Sequence, residues 1–230
     1  MSHLRESFEA FSKERGADKV HALRERAFGR FEELGFPTTR DEEWRFTNVA
    51  PLAGSNLALA RPTTNGVSGG DLARFGFSGG LVFVDGHYRA DLSSAPAGVS
   101  LATVRDGMEF TLPDDAPALV ALNTAFLEDG LCVEIEGELA EPLQVLFLGT
   151  DGKACHPRNV YHIKRNGRAE VLETYVSLGE GEHWTNSVGV AVVAENAEFH
   201  LTRLQLENES AFHTSNLLVD QARDSRATSN

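Results

Sequence analysis

Eight histidines and two cysteines are the side chains here best suited to proton transfer, nucleophilic attack or metal ligation. The histidines are His3, His21, His87, His156, His162, His183, His200 and His213; the cysteines are Cys132 and Cys155. No His-x-His, HExxH or CxxC spacing occurs, so no local ligand set is written in the chain. Cys132 and Cys155 read as structural thiols, with Cys132 on the partly exposed side of its strand. His183-Trp184, after a glycine-rich turn, is similar to one half of a cupin metal motif, but the position two residues on from His183 is Thr185 rather than a second histidine. His200 stands between Phe199 and Leu201, and strand alternation turns it outward as a surface histidine. Glu134, Glu136 and Glu138 share one side of a strand whose other side is Leu131, Val133 and Ile135. Paired carboxylates could hydrolyse a glycosidic bond, yet a solvated strand face accounts for these three. Gly179-Glu180-Gly181-Glu182 has acid where a phosphate loop needs amides and lysine, and reads as a β-turn. There is no Walker A loop, GxGxxG or GxSxG elbow. The residues alone therefore assign no catalytic residue, no metal ligand and no cofactor-binding set.

The elements that would position such groups fall into two kinds. Residues 1–53 read as a small helical domain. Val20, Leu23, Ala27, Phe31 and Leu34 recur at spacings of three and four, and Gly35-Phe36-Pro37 stops the stripe. Leu4, Phe8 and Phe11 form a shorter stripe before Gly16. A third helix is expected from Thr39, capped with Glu42, to an end near Val49 before Pro51. Residues 54–80 read as a linker or loop, rich in Gly, Ser, Thr and Pro. From 81 to 230 the period shortens to that of strands. Leu81–Val84 and His87–Arg89 flank an Asp85-Gly86 hairpin turn, one helix spans Ala116–Leu127, and strands follow at Leu131–Glu136, Leu143–Leu148 and Val160–Lys164.

The last third repeats at 28 residues: Ala169 and Val171 recur as Ala197 and Phe199, Val176 as Leu204, Trp184 as Phe212, and Asn196 as Asp224. Within each copy the apolar positions switch from odd to even, which a chain turning a corner around one interior does naturally. That predicts a β-solenoid; an antiparallel sandwich with hairpins of similar length is the other reading. The third copy stops at Asn230 with no terminal cap, which predicts a piece of a longer protein.

Composition sets the setting. Lys+Arg 21 against Asp+Glu 34 gives a net charge of −13, which disfavours nucleic acid or an anionic membrane as partner. No apolar run approaches the ~20 residues of a bilayer span, no signal-peptide core is present, and two cysteines suit a reducing compartment. The expected location is the cytoplasm.

Leu23-Arg24-Glu25-Arg26-Ala27, Gly35-Phe36-Pro37-Thr38-Thr39-Arg40 and Glu42-Glu43-Trp44-Arg45-Phe46-Thr47-Asn48-Val49 resemble the N-terminal region of the SufB/SufD family of iron–sulfur cluster assembly proteins, on its SufD side. Ala121–Phe126, Glu141-Pro142-Leu143, Pro157-Arg158-Asn159-Val160, Glu173-Thr174-Tyr175, Thr185-Asn186 and the stretch from Glu198 to Glu207 continue the resemblance in order. It implies a mainly β protein: a right-handed parallel β-helix after the helical domain, followed by a C-terminal helical domain that is absent from these 230 residues. It further implies a non-enzymatic scaffold, paired with a SufB-like subunit through the β-helix and with a SufC-like ATPase through the C-terminal domain. The cluster would be held only transiently, in the full complex. The family's cluster-forming residues fall beyond residue 230, and neither Cys132 nor Cys155 matches one. An uncapped solenoid end would also permit a homodimer. The alternatives from other classes are a β-helical or cupin-like enzyme acting on a carbohydrate or small molecule through the carboxylates or His183, and a free-standing interaction module.

Overall fold

Alternation along the strands dictates where the chain bends. On Arg168–Ser177, Ala169, Val171, Glu173 and Tyr175 are buried while Arg168 and Glu170 are exposed and Leu172 and Thr174 half-buried, so this strand has one inward face. A computed structural model, describing residues 2–63, 66–103 and 111–230, shows what these inward faces enclose. The chain winds as a β-solenoid of about 4 turns, with a few helices on its N-terminal side.

One wall is a sheet that holds β4 (Val99–Thr103), β5 (Gly130–Ile135), β8 (Arg158–Ile163), β10 (Trp184–Val193) and β12 (Phe212–Gln221), with β7 (Lys153–Cys155) also on β10 and β1 (Ala58–Leu59) on β7. The other runs β3 (His87–Tyr88), β2 (Leu81–Val84), β6 (Leu143–Gly149), β9 (Arg168–Ser177), β11 (Glu198–Leu206) and β13 (Arg226–Ser229). From β5 onward the chain alternates between the walls, with β7 and β8 making one pass on the first, and these strands pair with one another in parallel; among the described strands only β2–β3 and β4–β5 are antiparallel. Pro157, which has no N–H to give the ladder, separates β7 from β8 on what would otherwise be one strand. Between the walls lies a core that includes Leu131, Val133, Ile135, Phe147, Val171 and Phe199. In-register parallel strands place like residues one strand spacing apart, so Phe83, Phe147 and Tyr175 stack with centroids 4.8 and 4.5 Å apart. Asn166, Asn196 and Asp224 take the positive-φ position at one corner of successive turns, where short polar side chains tolerate left-handed backbone.

The repeat is not uniform. Gly130 stands beside Arg158 (a step of 28), Arg158 beside Val188 (30), and Val188 beside Asn216 (28). The two extra residues lie in the corner between Ser177 and Trp184, longer than the matching corner between Gly149 and Ala154. Ala169 and Val171 therefore pair with Phe199 and Leu201, and Val176 with Leu206, rather than with the partners a constant 28 assigns; Trp184 with Phe212 stands. Gly179 and Gly181 make the longer corner possible: a Cβ on either would meet the Asp151 carboxyl within 3 Å, and the Gly181 N–H donates to Asp151 Oδ1 at 3.0 Å.

The helices α1 (Ser2–Arg15), α2 (His21–Leu34), α3 (Ala50–Gly54) and α5 (Ala118–Ala125) cover the outer face of the first sheet. Phe8 stacks on Phe28 at 4.1 Å, and Phe126 meets both edge-on. Arg24 is buried among them, its guanidinium bonded to Leu127 O and Asp18. The expected helix over 39–49 is a 3₁₀ turn at Glu42–Trp44: Asp41 takes the Thr38 N–H and hydroxyl, and Pro51 stands in the first turn of α3, starting a helix instead of ending one. The loop expected over 54–80 holds β1 and a short helix, α4 (Gly69–Arg74), whose Ser68–Asp71 capping box is complete. Apolar residues from α4 and its flanks cover Val82, Val84, Leu146, Leu148 and Val176 on the outer face of the second sheet.

Asn123 fastens α5 to the solenoid. Its Nδ2 donates to Pro157 O (3.0 Å) and Asn186 O (2.8 Å), while Asn186 Nδ2 donates back to Leu119 O (2.9 Å). All of this is buried. Asn123→Ala leaves buried carbonyls without their donor and is expected to cost about 2–3 kcal/mol in urea unfolding; a change below about 0.5 kcal/mol would show that the clamp holds nothing.

Candidate functional site

The inward face of β9 carries a carboxylate, Glu173, where the pattern calls for an apolar residue, and it is 2% exposed. Burial of such a charge is tolerable only with donors around it. Tyr161 on β8 donates to Glu173 Oε1 (2.7 Å); Tyr175 (3.0 Å) and Arg203 Nε (2.7 Å) donate to Oε2. Parallel register makes this possible, because Arg203 on β11 stands directly beside Glu173. Arg203 Nη1 reaches on to Ser215 Oγ at 2.6 Å. Gly189 leaves it room: a Cβ there would lie 3.0 Å from Arg203 Nη2. Burial, then the Glu173 charge, pushes both tyrosine hydroxyls well above their ordinary pKa. Burial opposes the Arg203 charge, but the neighbouring carboxylate more than offsets it and holds its pKa up. The phenols stay neutral and the arginine charged.

A second polar group adjoins the first. Tyr175 meets the His213 ring edge-on at 4.5 Å, and His213 Nδ1 lies 3.0 Å from Glu207. On the other side of Glu207 is His183, its Nε2 at 3.9 Å from the carboxylate and 3.4 Å from Ser177 Oγ. His183 is 1% exposed and lies against Gly149, where a Cβ would come within 2.5 Å of the ring. Glu207 is thus within hydrogen-bond distance of His213 but not of His183. Among the described residues, no group of three or more His, Cys, Asp or Glu is placed to hold a metal ion.

The other candidates from the sequence lie apart. Glu134 bonds Lys164 at 2.7 Å on the outer face of the first sheet, Glu136 and Glu138 are exposed, and the three converge on no cavity. His200 is exposed, as alternation predicts. Cys155 is buried beside Thr185, and burial, with the acids Asp85 and Glu207, pushes its thiol up to about 12. Cys132 is half-buried, its pKa raised by burial and by Glu134. Both are poor thiolates. Sequence reasoning singled out His183 but not Glu173, Arg203 or Glu207. Glu173 was visible in principle as a charge on the inward parity between Val171 and Tyr175; Glu207 sits in a corner, where no parity applies.

Two family models match this chain: the SufBD protein N-terminal region over residues 2–63, and the SufBD core domain of the SUF system for iron–sulfur cluster assembly over residues 146–230. The iron–sulfur cluster assembly protein SufD of Escherichia coli (strain K12) is 30% identical over 192 residues, covering 78% of this chain and 44% of that protein. An iron–sulfur cluster assembly SufBD family protein of Synechocystis is 24% identical over 221 residues, covering 84% of this chain and 49% of that protein. The chain thus spans less than half the length of either relative.

Proposed function

Because this chain is a SufD-like member of the SufB/SufD family, we propose that it belongs to a scaffold subunit for iron–sulfur cluster assembly that works in the cytoplasm with a SufB-like subunit and a SufC-like ATPase. The observation that carries this reading is the ordered pair of family matches, one on the helical unit and one on the solenoid, in a chain that folds into both. The interior agrees with it. Glu173, Arg203 and the two tyrosines satisfy one another inside the solenoid, a structural use of buried polar groups that suits a scaffold subunit. In this reading the cluster is cargo, and ATP hydrolysis resides in the partner. No described helix is long and apolar enough to cross a membrane.

The test is genetic. Deleting the gene for the whole protein, under iron limitation, should lower the activity of several unrelated iron–sulfur enzymes while enzymes without clusters keep theirs. Unchanged iron–sulfur activities would overturn the assignment.

A further inference from the structure

Two rows of side chains run across the outer face of the second sheet, in register from β2 to β11. One is Val82, Leu146, Thr174 and Leu204; the other is Val84, Leu148, Val176 and Leu206. Cover along the rows is uneven. Leu72 on α4, with Val67, Phe75 and Phe77 on its flanks, packs over the β2 and β6 members and Val176. On β11 that cover has ended, and Leu204 is 42% and Leu206 61% exposed. A single exposed leucine needs no explanation. Two on one strand, continuing rows that are buried elsewhere, extend an apolar surface into solvent.

The charge beside this surface is unbalanced. From it β9 and β11 run into the corners at 178–183 and 207–211, which Asn208 joins by donating Nδ2 to Gly179 O (2.9 Å) and Gly181 O (3.1 Å). Glu180, Glu182 and Glu209 on these corners are exposed, and among the described residues none of their side chains makes an ion pair. The preceding corner adds one acid and one base, Asp151 and Lys153, so the local balance stays acidic. At the opposite corner, by contrast, Glu195 pairs with Arg165 at 3.5 Å and Glu198 with Arg226 at 2.9 Å. Acids left unpaired beside an apolar strip complement a cationic partner.

We propose that Leu204 and Leu206, with Glu180, Glu182 and Glu209, form a docking surface for an amphipathic, basic helix of a partner protein. The spacing suits a helix: the two leucines stand about 7 Å apart along the strand, close to the roughly 5–6 Å between side chains i and i+4. Within the chain, α4 already covers the same rows in this way. Lysine or arginine along the helix edge meets the acids, as in other helix-on-groove contacts. One helix on so short a strip buries less than a standard interface, so the contact is transient. The proposal does not depend on the role in cluster assembly.

Fluorescence anisotropy of two labelled helical peptides of about 15 residues, added to the whole protein, tests it. Both peptides carry the same leucine stripe; lysines flank it in one and glutamates in the other. The lysine peptide should bind saturably with a Kd below about 100 µM, and the glutamate peptide at least about tenfold more weakly. Leu206→Ser should weaken the lysine peptide at least about fivefold, with circular dichroism and the thermal midpoint as in the parent. Glu180→Gln combined with Glu209→Gln should weaken it too and flatten its dependence on salt. Failure of the lysine peptide to bind the whole protein, as when a later segment of the same chain fills the face, would overturn the proposal. So would a dimer of the whole protein that Leu206→Ser splits, since the occupant is then a second copy, or peptide binding that no substitution alters.

Discussion

Glu173→Gln is expected to lower the free energy of unfolding by about 3–5 kcal/mol, the usual cost of removing one member of a buried ion pair. The amide keeps the shape and still accepts from one tyrosine, so the loss isolates the charge that Arg203 needs. Arg203 is left with the neutral Ser215 hydroxyl in place of an anion, and its side chain is only 16% exposed. A double variant, Glu173→Gln with Arg203→Met, removes both charges and should regain part of the loss, because two well-packed neutral groups replace one stranded cation. Urea unfolding of the four proteins in the cycle reads the coupling directly. If Glu173→Gln falls within about 0.5 kcal/mol of the parent, the buried cluster is not holding successive turns together.

Acid should unfold this protein through His156. The imidazole is buried against Phe126 and Trp184, and burial pulls its pKa from 6.5 down to about 3. The folded state therefore holds His156 neutral where the unfolded chain would protonate it. Its contribution is complete above pH 6.5 and is lost as the pH falls towards 3, at up to about 1.4 kcal/mol per pH unit. His87 acts in the same direction, again through burial. His156→Gln should lower stability at pH 7, where packing is lost, yet flatten the decline between pH 6.5 and 4.5 by about one proton. A slope equal to that of the parent would contradict this assignment.

Much of the fold was legible in the sequence, for reasons that individual residues make plain. Inward alternation at Leu131, Val133 and Ile135, and the switch of parity around corners, announced a chain winding about one interior. The exact register was not legible. A two-residue lengthening at Gly179–Glu182 leaves every side chain on its own face, since strand period is two, so Ala169 matched Ala197 as plausibly as Phe199. The helical reading of 39–49 failed because local capping pattern and tertiary geometry disagree there: Asp41 folds back on Thr38 and closes a single turn. The helix at Gly69–Arg74 lay hidden in a glycine-rich stretch, with Ser68 and Asp71 its only mark. As for the candidate site, His183 drew notice by its neighbours in sequence, whereas the Glu207 carboxylate beside it, which also holds His213, comes from the next turn of the solenoid. Contacts between turns depend on a register that composition does not disclose.

The proposed assignment makes this chain part of a scaffold subunit that assembles with two others. Its most direct test is native mass spectrometry of the whole protein, tagged at its own locus and recovered from its source cells under mild conditions. The account predicts one assembly that contains the tagged chain, a SufB-like chain and a SufC-like ATPase in fixed stoichiometry. Recovery of the tagged chain alone, from cells in which both other proteins are present and folded, would contradict it.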